Sequence, residues 1–350
     1  MVIFWSLIVI RLAREHPCGR APPLSQRTSG VGPSRPPALS AVSPEPPAPR
    51  KVAEVIAMLS ADPGPPASAV TPPSLTSLLA MTENTDGSDV EYVIGGQQLA
   101  DAKRETAAQL LADDAMRIRC GKSPVLARWR ARRDGGPPAT GAPAAAVGVY
   151  AGIGFGLPGA PANDDHLQGL VAELLWNRLI QERLVCRDKR RLVHAHSVKP
   201  DPLEPGGDGL VVYELEGGTL VFRLWEIKKH ESKINAVSAT IGRASKQLSS
   251  RGQEYLAKLA GPETVEQAGP LGEFYADIVE LWLDGSDRAG AGVSVGTSEQ
   301  YAPDRSQAFR SIATAFPHFK QAGQRESIIV AVPDFPEFAR RVREVVWSGL

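Results

Sequence analysis

The stretch from Glu204 to His230 reads EPGGDGLVVYELEGGTLVFRLWEIKKH. Its two halves are rich in β-branched and aromatic residues, which predicts one strand over residues 209–215 and a second over 220–228. The Gly217-Gly218 pair between them is typical of a turn that joins two antiparallel strands. The segment therefore predicts a β-hairpin, and this hairpin is the element from which the fold can be built outward.

Patterns on either side of the hairpin predict further helices and strands. Apolar residues at helical spacing predict helices, and short apolar runs predict strands. The predicted helices are 97–116, 163–184, 234–259 and 335–347, and the other predicted strands are 191–197, 275–283 and 327–332. The order helix, three strands, helix, strand indicates an α/β layer architecture.

The charged residues of the hairpin gather at one of its ends. Asp208 precedes the first strand, and Glu226 and Lys228 end the second. Side chains alternate along a strand, so Leu220, Phe222 and Leu224 lie on the same face as Glu226. This face is therefore apolar up to Glu226. Buried charges without partners cost several kcal/mol. A divalent cation is a suitable partner for two such carboxylates.

The length of the hairpin loop decides whether Asp208 shares that face. A two-residue turn at Gly217-Gly218 would place Asp208 opposite Ile227, on the face away from Glu226. A loop with an odd number of residues, or a bulge, would align Asp208 with Glu226 or Lys228. We therefore expect an odd loop or a bulge.

The strings GGD, ending at Asp208, and WEIKK, containing Glu226-Ile227-Lys228, resemble the PD-(D/E)XK nuclease superfamily. The similarity covers about residues 165–332, and the motif differs in having Gly207 where the family name has proline. The resemblance implies a restriction-endonuclease-like α/β core, in which a central mixed sheet is flanked by helices.

The resemblance also implies hydrolysis of phosphodiester bonds that depends on Mg²⁺ or Mn²⁺. Asp208, Glu226 and the carbonyl of Ile227 would hold the metal. Lys228 would orient or help deprotonate the attacking water, or stabilise charge on the phosphate. DNA is the implied substrate, in restriction or antiviral defence. The alternative is a non-catalytic member of the same fold that binds nucleic acid or a protein partner; a homodimer also stays open.

Neighbouring helices supply further candidates. Superfamily members often carry another acid on the helix before the hairpin; Glu173 is the first candidate for this metal ligand and Glu182 the second, with an ordinary helix acid as the alternative. Members also often carry polar residues on the helix after the hairpin. Four residues there share one face and would contact phosphate or support the lysine, or form an ordinary polar face: Arg243, Gln247, Arg251 and Tyr255.

A second basic region precedes the hairpin. Lys plus Arg and Asp plus Glu both total 39, so attraction to nucleic acid must come from local patches. The run from Arg117 to Arg133 contains seven basic residues and no acid, with Trp129 among them. Arg128 and Arg130 are candidate nucleic-acid contacts on this run, and a base would stack on Trp129. A solvated helix face is the alternative.

Composition divides the chain into three predicted parts. Residues 1–80 are rich in Pro, Ala and Ser, which predicts a disordered leader, and Met81 is an alternative start of the natural protein. Residues 81–160 predict a helical, basic accessory region that includes a linker or long loop at 134–146. Residues 161–350 predict the nuclease domain.

The cysteines and the apolar segments bear on location. Cys18, Cys120 and Cys186 are far apart and odd in number, which excludes a disulfide framework and fits a reducing compartment such as the cytoplasm. The apolar run from Val2 to Ile10 is too short to span a bilayer, so we expect no membrane partner.

Two weaker signals remain. Residues 154–159 read GFGLPG and match a dinucleotide-binding pattern, but Pro158 and the following residues prevent direct entry into a helix. A flexible loop is therefore favoured over a nucleotide site. His194 and His196 share a face of a predicted strand and are possible metal ligands, but the sequence offers no evident third ligand, which favours packing roles.

Overall fold

The computed structural model describes residues 73–84, 87–183, 186–199 and 207–350. The predicted leader up to residue 72, with its apolar run at 2–10 and Cys18, lies outside these residues. The remainder of the predicted leader, from residue 73, contributes a short helix to the unit Val70–Leu350.

Nine α-helices are present in the described part of the chain. They are α1 (Leu75–Leu78), α2 (Asp101–Cys120), α3 (Val125–Arg133), α4 (Gly141–Gly152), α5 (Asp164–Glu182), α6 (Val237–Glu266), α7 (Pro270–Leu283), α8 (Arg310–Ala315) and α9 (Phe335–Trp347). Short 3₁₀ turns at Glu299–Tyr301 and Ser306–Phe309 precede α8. The amphipathic helices α6, α7 and α9 each bury the residues of one face.

The strands form one large mixed sheet and one small ribbon. They are β1 (Thr82–Glu83), β2 (Glu91–Gly95), β3 (Gly156–Leu157), β4 (Ala160–Pro161), β5 (Arg191–Ala195), β6 (Gly209–Glu214), β7 (Leu220–His230), β8 (Ala291–Ser298) and β9 (Arg325–Val332). The large sheet has the order β1-β2-β9-β8-β7-β6-β5, and β3 pairs with β4. Strands β2, β9, β8 and β7 are parallel, whereas β6 and β5 continue the sheet in antiparallel pairing.

Helices cover both faces of this sheet, so its central strands are buried on both sides. Along β7, Val221 and Trp225 belong to a core shared with α2, α5 and α9. Phe222 and Leu224 belong to the opposite core, shared with α6, α7 and α8. The charged end of the hairpin, which begins at Glu226, continues this second face.

The structure confirms the predicted α/β class, with a mixed sheet flanked by helices. Predicted helix 335–347 coincides with α9, and predicted strands 191–197, 209–215, 220–228 and 327–332 correspond to β5, β6, β7 and β9. Strand β7 runs two residues further than predicted, to His230. The charged residues therefore lie within the strand, beyond the point where its partner β6 begins.

The predicted strand at 275–283 is wrong, because these residues belong to helix α7. Aromatic and β-branched residues favour a strand by type. Their spacing is helical, however, since Phe274, Ile278 and Trp282 recur every four residues and are all buried. The burial of one helical stripe outweighs the residue preference here.

Strand β8 takes the place in the sheet that the sequence had assigned to 275–283. It was not predicted because it consists largely of small residues and contains two glycines, which are unusual in strands. Packing requires both glycines. A Cβ atom on Gly292 would lie 2.3 Å from the Trp225 ring, and one on Gly296 would lie 2.8 Å from the Phe335 ring.

Residues 81–160, predicted as a helical and basic accessory region, contribute strands to the main sheet and helices that pack beside it. Strand β2 pairs in parallel with β9 of the main sheet, and α2 packs against α9. Residues 134–146, predicted as a linker, include the beginning of α4 at Gly141. Long-range pairing of this kind leaves no signal in local composition.

Candidate active site

The pairing of β6 with β7 aligns the two acids of the hairpin. Six residue pairs run from Glu214↔Leu220 to Gly209↔Trp225. The loop between the strands is residues 215–219, which is an odd number of residues and confirms the prediction. Asp208 is therefore the next position in register with Glu226, on the same face of the sheet.

Direct contacts hold the hairpin charges together. The backbone N–H of Ile227 donates to Oδ2 of Asp208 at 2.7 Å. Lys228 Nζ forms an ion pair with Oε1 of Glu226. On its other edge, β7 pairs with β8, which fixes Glu226 beside Val293 in the middle of the sheet. Asp208, Glu226 and Lys228 thus converge, as the sequence predicted.

Glu226 is a charge in the interior of the protein. The residue is fully buried, and neither carboxylate oxygen accepts a hydrogen bond of regular geometry from the described residues. Burial raises the pKa of Glu226 to about 7, and repulsion from Asp208 adds to the rise. The ion pair with Lys228 opposes this rise without cancelling it. The ion pair with Lys228 therefore compensates the buried carboxylate only in part, and a bound cation would compensate it further.

Helix α5 brings a third acid, Glu173, towards the same group. Burial raises the pKa of Glu173 to about 8. Repulsion from Asp208 and Glu226 adds to the rise, and attraction to Lys199 and Lys228 opposes it. Lys199 also acts on Asp208. The sequence did not identify Lys199, because it follows β5 without a motif around it.

Glu173 lies further from Asp208 and Glu226 than these two acids lie from each other. Within the described parts of the chain, the donor atoms of Glu173, Asp208 and Glu226 are not all within 4.8 Å of one another. The close pair is Asp208 and Glu226, and Glu173 faces it from the helix. Its role as a metal ligand stays a prediction, as does that of the Ile227 carbonyl.

The donor set fits a hard divalent cation. Burial raises the pKa of Asp208 although Lys228 and the Ile227 N–H oppose this. Asp208 and Glu226 are adjacent acids that both have raised pKa values. A bound cation would stabilise their two carboxylates. All the donors are oxygens, which Mg²⁺ and Mn²⁺ prefer. The residues present therefore fit the predicted metal.

The face of α6 nearest this group combines exposed and buried residues. Tyr255 is buried, receives a hydrogen bond from Gln247 at 2.9 Å, and acts on the charge of Lys228. It therefore fits support of the lysine rather than contact with a base. Arg251 is exposed and lies over the Tyr255 ring at 5.0 Å. Arg243 is exposed and donates to Thr240.

The basic run at 117–133 is partly buried and partly paired with acids. Trp129 is fully buried and donates its indole N–H to the carbonyl of Val346 at 2.8 Å, so no base can stack on it. Arg130 forms two hydrogen bonds with Asp113 of α2, which neutralise its charge. Arg128 stays exposed on α3, which packs against α2 and α4. Neither arginine is brought to the hairpin acids.

Two other sequence signals have structural roles. Glu182, the second acid considered on α5, accepts hydrogen bonds from the N–H groups of Leu75 and Thr76 at the beginning of α1. The stretch 154–159 forms part of the β3–β4 ribbon and follows helix α4 rather than a strand. It therefore lacks the strand–loop–helix context that a dinucleotide site requires.

We expect Glu173→Gln to change how stability depends on pH in the metal-free protein. The pKa of Glu173 rises from its ordinary value of 4.5 to about 8 in the fold. The folded chain therefore holds a proton that the unfolded chain releases, and this contribution to stability is present near pH 5 and lost as pH rises to about 8. Urea unfolding in EDTA should show that the free energy of unfolding of the variant rises relative to that of the wild type from about pH 5 to about pH 8. If the free energies of unfolding of variant and wild type changed in parallel with pH, the pKa of Glu173 would not be raised in the fold.

Two comparisons with known proteins, one with protein families and one with curated proteins, found no match. Among the residues that the structure describes, no helix combines the length and apolar character needed to cross a membrane.

Proposed function

We propose that this chain is a Mg²⁺- or Mn²⁺-dependent nuclease that hydrolyses phosphodiester bonds. The observation that carries the proposal is Glu226, a fully buried carboxylate aligned with Asp208 and without a regular hydrogen bond from the described residues. Such an arrangement lowers the stability of the metal-free fold. Sites that hold cations for catalysis commonly have perturbed pKa values of this kind.

The order of elements around the site supports a restriction-endonuclease-like core. Helix α5, strands β5, β6 and β7, helix α6 and strand β8 follow one another as helix, three strands, helix and strand. Among the described residues, helix α7 is inserted between α6 and β8. This is the order implied by the resemblance of the hairpin to the PD-(D/E)XK superfamily.

Each residue has a role that follows from its charge and position. A bound divalent cation would lower the pKa of a water molecule and neutralise charge on the scissile phosphate. Asp208 and Glu226 would hold this cation. Burial lowers the pKa of Lys228, but Glu226 and Asp208 outweigh burial and raise it overall. Lys228 therefore stays protonated at neutral pH and would orient the water or donate to phosphate oxygens rather than remove a proton.

DNA is the substrate that we propose, in restriction or antiviral defence. Both the substrate and the setting rest on analogy with the superfamily. The exposed Arg243 and Arg251 on α6 are the residues best placed to contact phosphates. Arg128 and Arg130 lie on α3 and would contribute only to a more distant surface.

A digestion assay tests the proposal. Purified protein should degrade single- or double-stranded DNA or RNA with Mg²⁺ or Mn²⁺ and not with EDTA. Glu226→Ala and Lys228→Ala should each abolish this activity while retaining the far-UV circular dichroism of the wild type.

Thermal unfolding with metal separates the alternatives. Mg²⁺ or Mn²⁺ should raise the melting temperature of the wild type and not that of Glu226→Ala. Metal stabilisation without digestion of any of the four substrates would favour a non-catalytic nucleic-acid-binding protein. Neither stabilisation nor digestion would reject the site.

A further inference from the structure

A second cluster of potential metal ligands lies beside strand β5. His194 lies in β5, His196 follows it, and Glu263 lies in the last turns of α6. One donor atom from each residue lies within 4.8 Å of the other two. The sequence identified the two histidines as a pair without a third ligand. The fold supplies that ligand from a helix far along the chain.

The distances agree with tetrahedral coordination. Two ligand atoms that each lie about 2.1 Å from a tetrahedral ion are separated by about 3.4 Å. Nε2 of His196 lies 3.3 Å from Oε1 of Glu263. Nδ1 of His194 lies 3.9 Å from Oε2 of the same carboxylate, so a small side-chain rotation would complete the geometry. The two imidazole rings lie side by side, with centroids 5.5 Å apart.

The surroundings hold these side chains in place and leave a donor open. Tyr275 of α7 contacts Nδ1 of His194 at 2.6 Å through its hydroxyl group, and an ion bound to this nitrogen would replace that contact. Gln267 donates to Oε2 of Glu263 at 2.7 Å, which holds the carboxylate in place. Nε2 of His196 is buried and has no hydrogen bond of regular geometry from the described residues.

The chemistry of the cluster differs from that of the hairpin acids. Two imidazoles and one carboxylate form a donor set that suits Zn²⁺ and related transition metals, whereas Mg²⁺ prefers oxygen ligands alone. Glu263 is almost fully buried, and the two histidines are partly exposed. An ion here would have protein on one side and room for water on the other.

We propose that His194, His196 and Glu263 form a zinc-binding site separate from the candidate active site. An ion bound there would join β5 to the end of α6. The backbone N–H of His196 donates to the carbonyl of Leu210, two residues from Asp208. The site would therefore also fix the strand that borders the hairpin acids. This proposal does not depend on nuclease activity.

Zinc binding to the full chain tests the proposal. Equilibrium dialysis of metal-free protein should give one bound Zn²⁺ per chain, and Co²⁺ in its place should give the visible absorption of a tetrahedral site. Glu263→Gln and His196→Gln should each weaken Zn²⁺ binding by about a hundredfold or more. The control is Glu266→Gln, an exposed acid three residues further along α6, which should bind as the wild type does.

A second arm separates this site from the hairpin acids. Glu226→Ala should leave the Zn²⁺ affinity and the Co²⁺ spectrum unchanged, whether or not it abolishes digestion. If Glu263→Gln does not fold, the His196→Gln protein carries the comparison. Equal Zn²⁺ binding by the wild type and both ligand variants would overturn the proposal. Absence of binding to the wild type would show that the cluster is an ion pair only.

Discussion

The Glu226→Gln protein should lose nucleic-acid cleavage by a factor on the order of a thousand and should nevertheless unfold at a higher urea concentration than the wild type. Both effects have one cause. Glu226 is fully buried, and its pKa is raised to about 7 by burial and by Asp208. At pH 8 the metal-free protein carries a buried charge that an amide of the same shape removes. The gain in stability should be about 1 kcal/mol.

Urea unfolding in EDTA at about pH 8, together with the digestion assay, measures both effects on the same preparation. Glu280→Gln, an exposed acid on α7, is the matched control and should change neither quantity. An ion pair that serves only the fold predicts the opposite sign, because removing its carboxylate would leave Lys228 without that partner. A variant that is less stable than the wild type and equally active would contradict the proposed active site.

The hairpin was predictable because its features are local. Alternation along a strand and the parity of a short loop depend only on neighbouring residues. Together they make the alignment of Asp208 with Glu226 depend on the number of loop residues alone, and the expected odd loop places both acids on one face. The position of Glu173 depends on the packing of helix α5 against the sheet. The sequence alone therefore left two interpretations of Glu173, a metal ligand and an ordinary helix acid. Lys199 had no local signal.

Part of the basic run at 117–133 is paired or buried for reasons outside its own sequence. Arg130 and Arg133 pair with Asp113, which lies in the preceding helix, and Arg133 also pairs with Asp134 at the end of the run. Trp129 is buried by contact with Val346, at the opposite end of the chain. A count of charges within a window cannot reveal partners that only the fold brings together. For the same reason, the sequence did not indicate Glu263 as a third potential ligand beside His194 and His196.

A second buried glutamate shows what a partnered charge looks like in this sheet. Glu326 of β9 is 1% exposed. Its Oε1 accepts from Nη2 of Arg190 at 2.6 Å and from Nη1 of Arg183 at 3.1 Å. Burial alone would raise the pKa of Glu326, but Arg190 and Arg183 outweigh burial and lower it. Glu226 and Glu326 are equally buried, and their pKa values are displaced in opposite directions.

Glu326→Gln should therefore lower the free energy of unfolding by about 3–5 kcal/mol, because it leaves the fully buried Arg190 without its main counter-charge. Urea unfolding at pH 7 measures this loss. Glu337→Gln removes an exposed pair on α9 and should cost at most about 1 kcal/mol. Since the pKa of Glu326 is lowered, its contribution is present above the ordinary value of 4.5 and is lost as pH falls through the folded value. The curves of variant and wild type should converge in acid, and a constant gap would show that the charge of Glu326 is not what stabilises the fold.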